Sequence, residues 1–188
     1  MSEQNNFETA SPEILERIAK TRELTRAYAQ TDYRDKEGRQ KILKELFGSI
    51  GTNVAVDSPI HCDHGDNIHI GDNVIIGMNC TFVDNEKITI GNNVLIASNV
   101  QIYTSTHPLA RNERINDKWQ EEKTTWFRTS AAPVSIGDDS WIGGGVIILS
   151  GVKIGKNVVV GAGAVVTRDI PDNSLALGIP AKVVKQID

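Results

Sequence analysis

A histidine near the middle of the chain, His107, is the residue whose type and setting best suit acid–base chemistry. It lies in the segment YTSTHP, residues 103–108, where a regular pattern of apolar residues stops and a polar stretch begins. Histidine titrates near neutral pH and can take a proton from a hydroxyl group as a general base. By itself, a histidine at such a place is more often an ordinary exposed loop residue, so its role depends on the rest of the chain.

Positive charge near the C-terminus is the second feature that suggests chemistry. Arg168, Lys182 and Lys185 lie late in a chain whose formal net charge is −4. A basic cluster in an acidic protein suits the phosphate groups of a cofactor. Taken one at a time, each of these residues is better explained as a solvated surface charge.

Apolar residues recur every six positions and predict the fold that must position these groups. Two positions before each lies another small or apolar residue, so each hexad offers an inward-facing pair. The first series is Ile68/Ile70, Val74/Ile76, Cys80/Phe82, Ile88/Ile90, Val94/Ile96 and Val100/Ile102, with a two-residue slip between Phe82 and Ile90. The second is Val134/Ile136, Ser140/Ile142, Val146/Ile148, Val152/Ile154, Val158/Val160 and Ala164/Val166. This pattern predicts a mainly β protein, a parallel β-helix in which three hexads form one triangular coil.

Two helices are predicted before the β-helix. The first has Ser11 as N-cap and Pro12 at its first position, and extends to about Gln30. The second runs from Asp35 to Phe47 and is expected to stop at Gly48. Because the open end of a β-helix exposes strand edges and core, these helices are expected to cap the first coil.

The chain is expected to divide into a helical cap, residues 1–52, and a catalytic β-helix domain, residues 53–188, with an irregular segment before the first helix, residues 1–11. A polar loop, residues 106–133, interrupts the hexads, and a loop of this length is uncommon in a compact domain unless it has a function. In the C-terminal tail, residues 169–188, the chain is expected to turn away from the coils at residues 169–172 and to close with a strand and a short terminal segment over residues 176–185.

Composition excludes several classes of function. The net negative charge gives no reason to expect a nucleic-acid partner. No stretch approaches the ~20 apolar residues of a membrane span, and the polar N-terminus does not resemble a secretion signal, so a cytoplasmic protein is expected. Cys62 and Cys80 are expected to be buried free thiols, stacked in successive coils, rather than a disulfide.

Five segments together resemble the maltose and galactoside O-acetyltransferase branch of the hexapeptide-repeat acyltransferases. They are residues 61–71 (HCDHGDNIHIG), 103–108 (YTSTHP), 140–145 (SWIGGG), 165–171 (VVTRDIP) and 178–183 (GIPAKV). The resemblance implies a homotrimer of left-handed parallel β-helices with its active sites between subunits. It also implies direct transfer of an acetyl group from acetyl-CoA to a hydroxyl group, without an acyl-enzyme.

The resemblance assigns roles to individual residues. It makes His107 the general base and gives the backbone N–H of Gly144 to the oxyanion of the thioester carbonyl, which needs fixed donors. It makes Trp141 line the pantetheine channel, counts Gly144 among the cofactor-binding residues, and brings Ala162, Thr167 and Arg168 near the adenine end. Lys182 and Lys185 match positions that meet the phosphates of CoA. From the sequence alone, Trp141 is equally well explained as a surface aromatic that packs on a neighbouring subunit.

The acceptor pocket is where the resemblance is weakest. Asp63 and Asn85 fall at positions that contact sugar in the galactoside enzymes, which carry Ser and Asp there. Asn79 and Asp84 are lesser candidates for the same cleft, and either could be a corner residue that bonds its own turn. A small sugar or glycoside is therefore expected as the acceptor, without galactoside specificity.

Three alternatives remain open. The acceptor could be an antibiotic, an amino sugar or serine, and the protein could also be a non-catalytic β-helix scaffold. His64 and His69 are five residues apart, with His61 nearby, and this spacing resembles that of the zinc-dependent γ-class carbonic anhydrases. That site needs a third histidine about two coils upstream, where this chain has helix, so no metal is predicted.

Overall fold

The computed structural model describes residues 5–7 and 11–187, and most of them form a parallel β-helix with three flat faces. The first face contains β2 (Ser49–Ile50), β5 (Ile68–Ile70), β8 (Ile88–Ile90), β13 (Val134–Ile136) and β16 (Lys153–Ile154). The second contains β3 (Ala55–Val56), β6 (Ile75–Ile76), β9 (Leu95–Ile96), β14 (Trp141–Ile142), β17 (Val159–Val160) and β19 (Ser174–Leu177), with β20 (Lys182–Gln186) at its edge. The third contains β4 (Ile60–Cys62), β7 (Cys80–Val83), β10 (Gln101–Tyr103), β15 (Ile147–Ile148) and β18 (Val165–Val166). The β-helix prediction is confirmed.

The core consists of the hexad residues. Every member of both predicted series is buried, from Ile68 to Ile102 and again from Val134 to Val166. Side chains of successive coils lie in register, as where Ile68 pairs with Ile88 and Ile88 with Val134. Because alternate strand residues face opposite sides, the intervening positions face outward and the narrow prism is filled by aliphatic side chains.

One corner of the prism contains a column of Asn and Asp residues whose backbones have left-handed φ angles. Asn73 and Asn93 have φ angles of 57° and 56°, which Asn tolerates better than most residues. Each amide bonds the residue above or below: Asn73 donates to Asn93 at 3.0 Å, and Asn93 donates to Asp139 at 2.8 Å. The column therefore ties neighbouring coils together where no strand pairs.

The coils differ in length. Partners in the early coils are 20 residues apart, as for Asn53 and Asn73, whereas Val158 and Ser140 are 18 apart in the later ones. In the longer coils Cys80 pairs with Ile60, and Cys62 pairs with Phe82. The predicted stacking of the two cysteines is therefore wrong, although both are buried free thiols as expected.

Both predicted helices are confirmed. In α1 (Pro12–Gln30) the Ser11 side chain accepts from the N–H of Ile14 at 3.4 Å, and in α2 (Lys36–Leu46) Asp35 accepts from Gly38 at 2.9 Å. Neither helix is long and apolar enough to cross a membrane, and this holds for every helix in the described ranges.

As expected, α2 ends just before Gly48, although Gly48 does not act through a positive φ angle. Its neighbour Phe47 is already extended, and Gly48 is not among the glycines with positive φ. A Cβ at this position would lie 2.1 Å from the carbonyl oxygen of Asp66. Glycine is needed because the backbone after α2 closely approaches the coil below it.

The segment that interrupts the coils has structure of its own. It contains β11 (Ser105–Thr106), two short helices α3 (Arg111–Arg114) and α4 (Trp119–Glu122), and β12 (Thr129–Ala131). β12 pairs with β11 and also with β1 (Asn5–Phe7), both antiparallel. The expectation of an irregular start is therefore wrong for residues 5–7, and its remaining residues before Ser11 lie outside the described ranges.

The C-terminal tail does not turn away from the coils. Ile170 bridges to Ile154, and β19 extends the second face by pairing parallel with β17. β20 then returns antiparallel along β19, with Lys182 opposite Leu177. The expectation was wrong because residues after Asp169 lack the full hexad pattern yet still bury Ile170, Ser174 and Ala176 in line with the coils above.

Candidate active site

A cleft of about 240 Å³ lies beside the third face, where the cap, the first coils and the interrupting segment meet. Its lining is Ile14, Ile18, Asp63, His64, Val83, Asn85, Ser105, His107, Phe127 and Thr129. The cleft brings His107 together with two of the four predicted acceptor-binding residues, Asp63 and Asn85. It has an apolar side from α1 and a polar side from the coils.

His107 is held by the interrupting segment. Its Nδ1 lies 2.9 Å from the carbonyl oxygen of Arg128, and its ring meets the edge of Phe127 at a centroid distance of 5.5 Å. Because a carbonyl oxygen only accepts hydrogen bonds, Nδ1 carries the proton and the neutral ring has its lone pair on Nε2. The geometry thus gives the neutral imidazole of His107 a defined basic atom, Nε2.

Asp63 and Asn85 present polar groups to the cleft. Asp63 is paired with Arg22 of α1 at 3.0 Å, which compensates its charge. The side-chain nitrogen of Asn85 lies 3.1 Å from Nε2 of His64. His64 is buried, and this burial lowers the pKa of its imidazole.

Sequence reasoning missed His64 as a cleft residue because it was weighed only as a metal ligand. A signal was available, since His64 directly follows Asp63 in the motif at residues 61–71. It also missed Ile14 and Ile18, which face the cleft from α1. These two lie within the helix's apolar face, and only the packing of α1 against the coils shows that they reach the site.

Asp84 does not lie in the cleft lining and is fully buried. Its carboxylate accepts hydrogen bonds from the backbone N–H groups of Asp63, His64 and Gly65 at 2.9, 3.0 and 2.7 Å. Its proposed contact with substrate is therefore corrected: the carboxylate is occupied in holding the turn that follows β4, and that turn carries Asp63 and His64.

Asn79 also lies outside the cleft lining. It is an exposed corner residue with a φ of 58°, and its backbone N–H donates to the carbonyl of Pro59 at 2.8 Å. The structure gives it the turn-forming role that was its alternative explanation.

The candidate cofactor residues group around another corner, between the second and third faces. Trp141 points outward from β14 and is 51% exposed. Gly144 follows it in the turn, and the N–H of Gly163 donates to the Gly144 carbonyl at 2.9 Å, so Ala162 lies one coil below. The N–H of Gly144 itself donates to no residue in the described ranges, which leaves it available to a ligand.

The other candidate cofactor residues come later in the chain than this corner. Thr167 and Arg168 are exposed and directly follow β18, and Lys182 and Lys185 are exposed on β20. The N–H of Ala181 donates to the carbonyl of Val165 at 2.8 Å, which joins the β19–β20 hairpin to the end of the third face.

One chain does not bring the two groups together. Gly144 precedes the third-face strand β15, whereas His107 follows β10 and β11 at the other edge of the same face. The candidate base His107 and the candidate oxyanion donor Gly144 thus lie at different corners of the prism.

No cluster of three His, Cys, Asp or Glu side chains in the described part of the chain has the geometry of a metal site. His64 bonds Asn85, while His69 bonds the hydroxyl of Ser49 at 3.0 Å, so these two imidazoles serve separate contacts.

Comparisons with known protein families cover both parts of the chain. The maltose acetyltransferase hexapeptide capping motif matches residues 7–51. The hexapeptide repeat of succinyl-transferase matches residues 67–104, and the bacterial transferase hexapeptide (six repeats) matches residues 133–168.

Individual proteins match over most of the chain. A galactoside O-acetyltransferase of Escherichia coli is 37% identical over 81% of this chain and 70% of its own length. The crystal structure of a maltose O-acetyltransferase from Clostridium difficile is 41% identical, with a TM-score of 0.88 over 98% of this chain and 94% of that one. A hexapeptide-repeat acetyltransferase from Vibrio cholerae, solved in complex with acetyl-CoA, is 37% identical with a TM-score of 0.86, covering 97% and 93%.

The capping motif, the repeats and these relatives agree with the fold. This chain belongs to the maltose and galactoside O-acetyltransferase branch of the hexapeptide-repeat acyltransferases.

Proposed function

We propose that the protein transfers an acetyl group from acetyl-CoA to a hydroxyl group of a small sugar or glycoside. The observation that carries this proposal is His107, whose Nδ1 is tied to a backbone carbonyl so that Nε2 is free to act in a cleft lined by polar groups. Relatives named as galactoside and maltose O-acetyltransferases, and one bound to acetyl-CoA, support the choice of co-substrates.

The proposed reaction needs no covalent enzyme intermediate. Nε2 of His107 accepts the proton of the acceptor hydroxyl while its oxygen attacks the thioester carbonyl carbon. The N–H of Gly144 donates to the developing oxyanion, and the C–S bond then breaks. The proton held by His107 passes to the departing thiolate, so the products are the acetyl ester and CoA.

The charge of the cleft favours a neutral acceptor over an amino sugar or serine. Asp63 would attract an ammonium group if it were unpaired, but Arg22 lies 3.0 Å from its carboxylate. Asn85 and the backbone-tied His107 offer neutral hydrogen-bonding groups, which suit the hydroxyls of a polyol. An antibiotic with a neutral hydroxyl remains the second candidate acceptor.

We infer that the complete active site forms between subunits of a homotrimer. This would bring Gly144 of one subunit near His107 of its neighbour, which the prism of a single chain keeps apart. An outward apolar row supports the proposal: Ile75, Leu95 and Trp141 pair side by side on the second face and are 52%, 42% and 51% exposed. Contiguous exposed apolar surface of this kind typically marks an interface.

The proposed CoA site follows the later coils. Trp141 would line the pantetheine and Gly144 would lie beside the thioester. Ala162, Thr167 and Arg168 would contact the adenine end, and the cations of Lys182 and Lys185 would meet the phosphates. All of these except Gly144 are exposed. We also propose that residues 1–52 act as a cap domain on the catalytic β-helix and that the enzyme works in the cytoplasm, where its two free thiols would stay reduced.

The test measures thiol release from acetyl-CoA against glycosides, amino sugars, serine and neutral antibiotic alcohols, with the oligomeric state determined on the same sample. Release with a glycoside and a trimeric mass are the expected results. Release only with amines or serine would overturn the acceptor class, and a monomer with full turnover would overturn the shared active site.

A further inference from the structure

A separate pocket lies at the capped end of the prism, between the helices and the edge strand β3. Its volume is about 320 Å³, at the small end of the ~300–1,000 Å³ range of ligand pockets. It shares no lining residue with the cleft that contains His107. The residues that define its chemistry are Tyr28, Tyr33, Lys36, Arg39, Leu43 and Val54.

A buried cation lies in the wall of this pocket. Arg39 is only 7% exposed, and its Nη2 donates to the hydroxyl of Tyr28 at 2.6 Å and to the carbonyl of Val56 at 2.9 Å. The guanidinium carbon lies 4.1 Å from the ring centroid of Tyr28 and 5.2 Å from that of Tyr33. These contacts anchor the side chain and use one of its three nitrogens.

Arg39 has no ion-pair partner among the described residues, although burial raises the pKa of the Tyr28 hydroxyl and Asp57 is near enough to add to that shift. Across residues 11–187, no carboxylate pairs with Arg39 or with Lys36, and Nε and Nη1 of Arg39 donate to no protein acceptor. Nε and Nη1 keep some exposure in the pocket, so an anion that enters it could bond them directly, in a partly desolvated setting where an ion pair is stronger than in water. The pocket therefore favours a negatively charged ligand.

Apart from the amides of Gln40 and Asn53, the remaining lining is apolar or aromatic, which restricts the class of anion. Leu43 and Val54 are buried aliphatic residues, and Tyr33 is 71% exposed with its ring beside the guanidinium. Inorganic phosphate would leave these surfaces uncovered. We propose that this pocket binds a small organic carboxylate with a flat apolar body, whose carboxylate pairs with Arg39 and Lys36 and whose body packs on Tyr33 and Leu43.

The test uses 4-fluorobenzoate as the probe and follows its fluorine NMR signal during titration with the full-length protein. We expect saturable binding at one site per chain, with 4-fluorobenzyl alcohol, the neutral analogue, binding at least tenfold more weakly. Lys36→Gln and Tyr33→Ala should each weaken the probe at least fivefold. Both side chains are exposed, so these variants avoid the loss of folding that removing the buried Arg39 could cause.

Matched controls separate this pocket from the catalytic cleft. Lys41→Gln removes an exposed cation of the same helix outside the pocket and should leave the affinity unchanged. His107→Ala should also leave it unchanged, whatever its effect on acetyl transfer. The proposal is overturned if no saturable binding occurs, if the alcohol binds equally well, if Lys36→Gln and Tyr33→Ala bind like the parent protein, or if His107→Ala abolishes binding.

Discussion

Nδ1 of His107 lies 2.9 Å from the carbonyl oxygen of Arg128, across a segment that leaves the prism and returns to it. This contact fixes both the tautomer and the orientation of the imidazole through the main chain. The candidate base therefore depends on the folding of the whole interrupting segment and not on the coil that precedes it.

Replacing the base is the first prediction. His107→Ala should lower kcat by about a hundredfold or more, the usual contribution of a general base, with little change in acetyl-CoA affinity. Steady-state kinetics and direct titration with CoA measure the two quantities. His61→Ala, which removes an exposed histidine of β4 outside the cleft lining, is the control. Near-normal turnover in His107→Ala would remove this residue from the mechanism.

Replacing Asn85, which lines the cleft, and Asn79, which lies at a corner outside it, tests the position assigned to the acceptor. Asn85→Ala should raise the KM for the acceptor about 2- to 10-fold, as expected from losing one hydrogen bond, without changing the KM for acetyl-CoA. Asn79→Ala makes the same chemical change at a corner outside the cleft and should leave the acceptor KM unchanged. Equal effects of the two variants would contradict the position assigned to the acceptor.

Asp84 is predicted to position the acceptor side of the cleft. In Asp84→Asn the amide group cannot accept all three backbone N–H bonds, so the free energy of unfolding should fall by roughly 1–3 kcal/mol. The acceptor KM should rise more than the acetyl-CoA KM, because the turn with Asp63 moves. Asp139→Asn is the matched control, since Asn already occupies the equivalent corner at Asn93. Loss of stability without any change in acceptor KM would reduce Asp84 to a purely structural residue.

The buried His64 predicts a pH dependence of stability. Burial lowers the pKa of its imidazole below the value of about 6.5 that it has in the unfolded chain. As the pH falls through 6.5, the unfolded state binds the proton first, so the free energy of unfolding should decrease with falling pH. Urea unfolding between pH 7.5 and 5, at fixed protein concentration, should show a smaller slope for His64→Gln than for the parent protein. His61→Gln controls for the loss of a histidine, and an unchanged slope in His64→Gln would refute the assignment.

The basic hairpin makes a prediction about the cofactor. Lys182→Ala and Lys185→Ala should each weaken CoA more than dephospho-CoA, because the latter lacks the 3′-phosphate that these cations are proposed to meet. Calorimetry with both ligands measures the difference. Lys153→Ala removes an exposed lysine of the first face and serves as the control. Equal losses for the two ligands would argue against a contact with the 3′-phosphate.

The sequence predicts the repeated part of the fold well because one physical rule acts at every hexad. An inward residue such as Ile96 or Val160 must be small enough for a narrow prism and must alternate with outward positions, and no distant contact changes this rule. The cap helices are equally local, since Ser11 and Asp35 satisfy free N–H groups within their own first turns.

The errors arise where contacts are made over long distances. The strand at residues 5–7 depends on β12, and the mismatch of Cys62 and Cys80 depends on a two-residue difference in coil length. The role of Asp84 was also missed, because a buried carboxylate that serves three backbone groups has the same local sequence as one that serves a ligand. His107 was found through its motif, whereas its contact with Arg128 required the folded segment.

The three-stranded sheet of β1, β12 and β11 constrains the order in which parts of the protein can fold during synthesis. Each coil can pair with a coil made shortly before it, so the prism can grow from its capped end as the chain emerges. The strand at residues 5–7 is made first but must wait for residues 129–131, and closing so long a loop costs entropy that local pairing does not. The three-stranded sheet beside His107 should therefore be one of the last parts of the structure to form. A fusion or truncation at the N-terminus should therefore disturb the structure of the acceptor cleft more than the core of the β-helix.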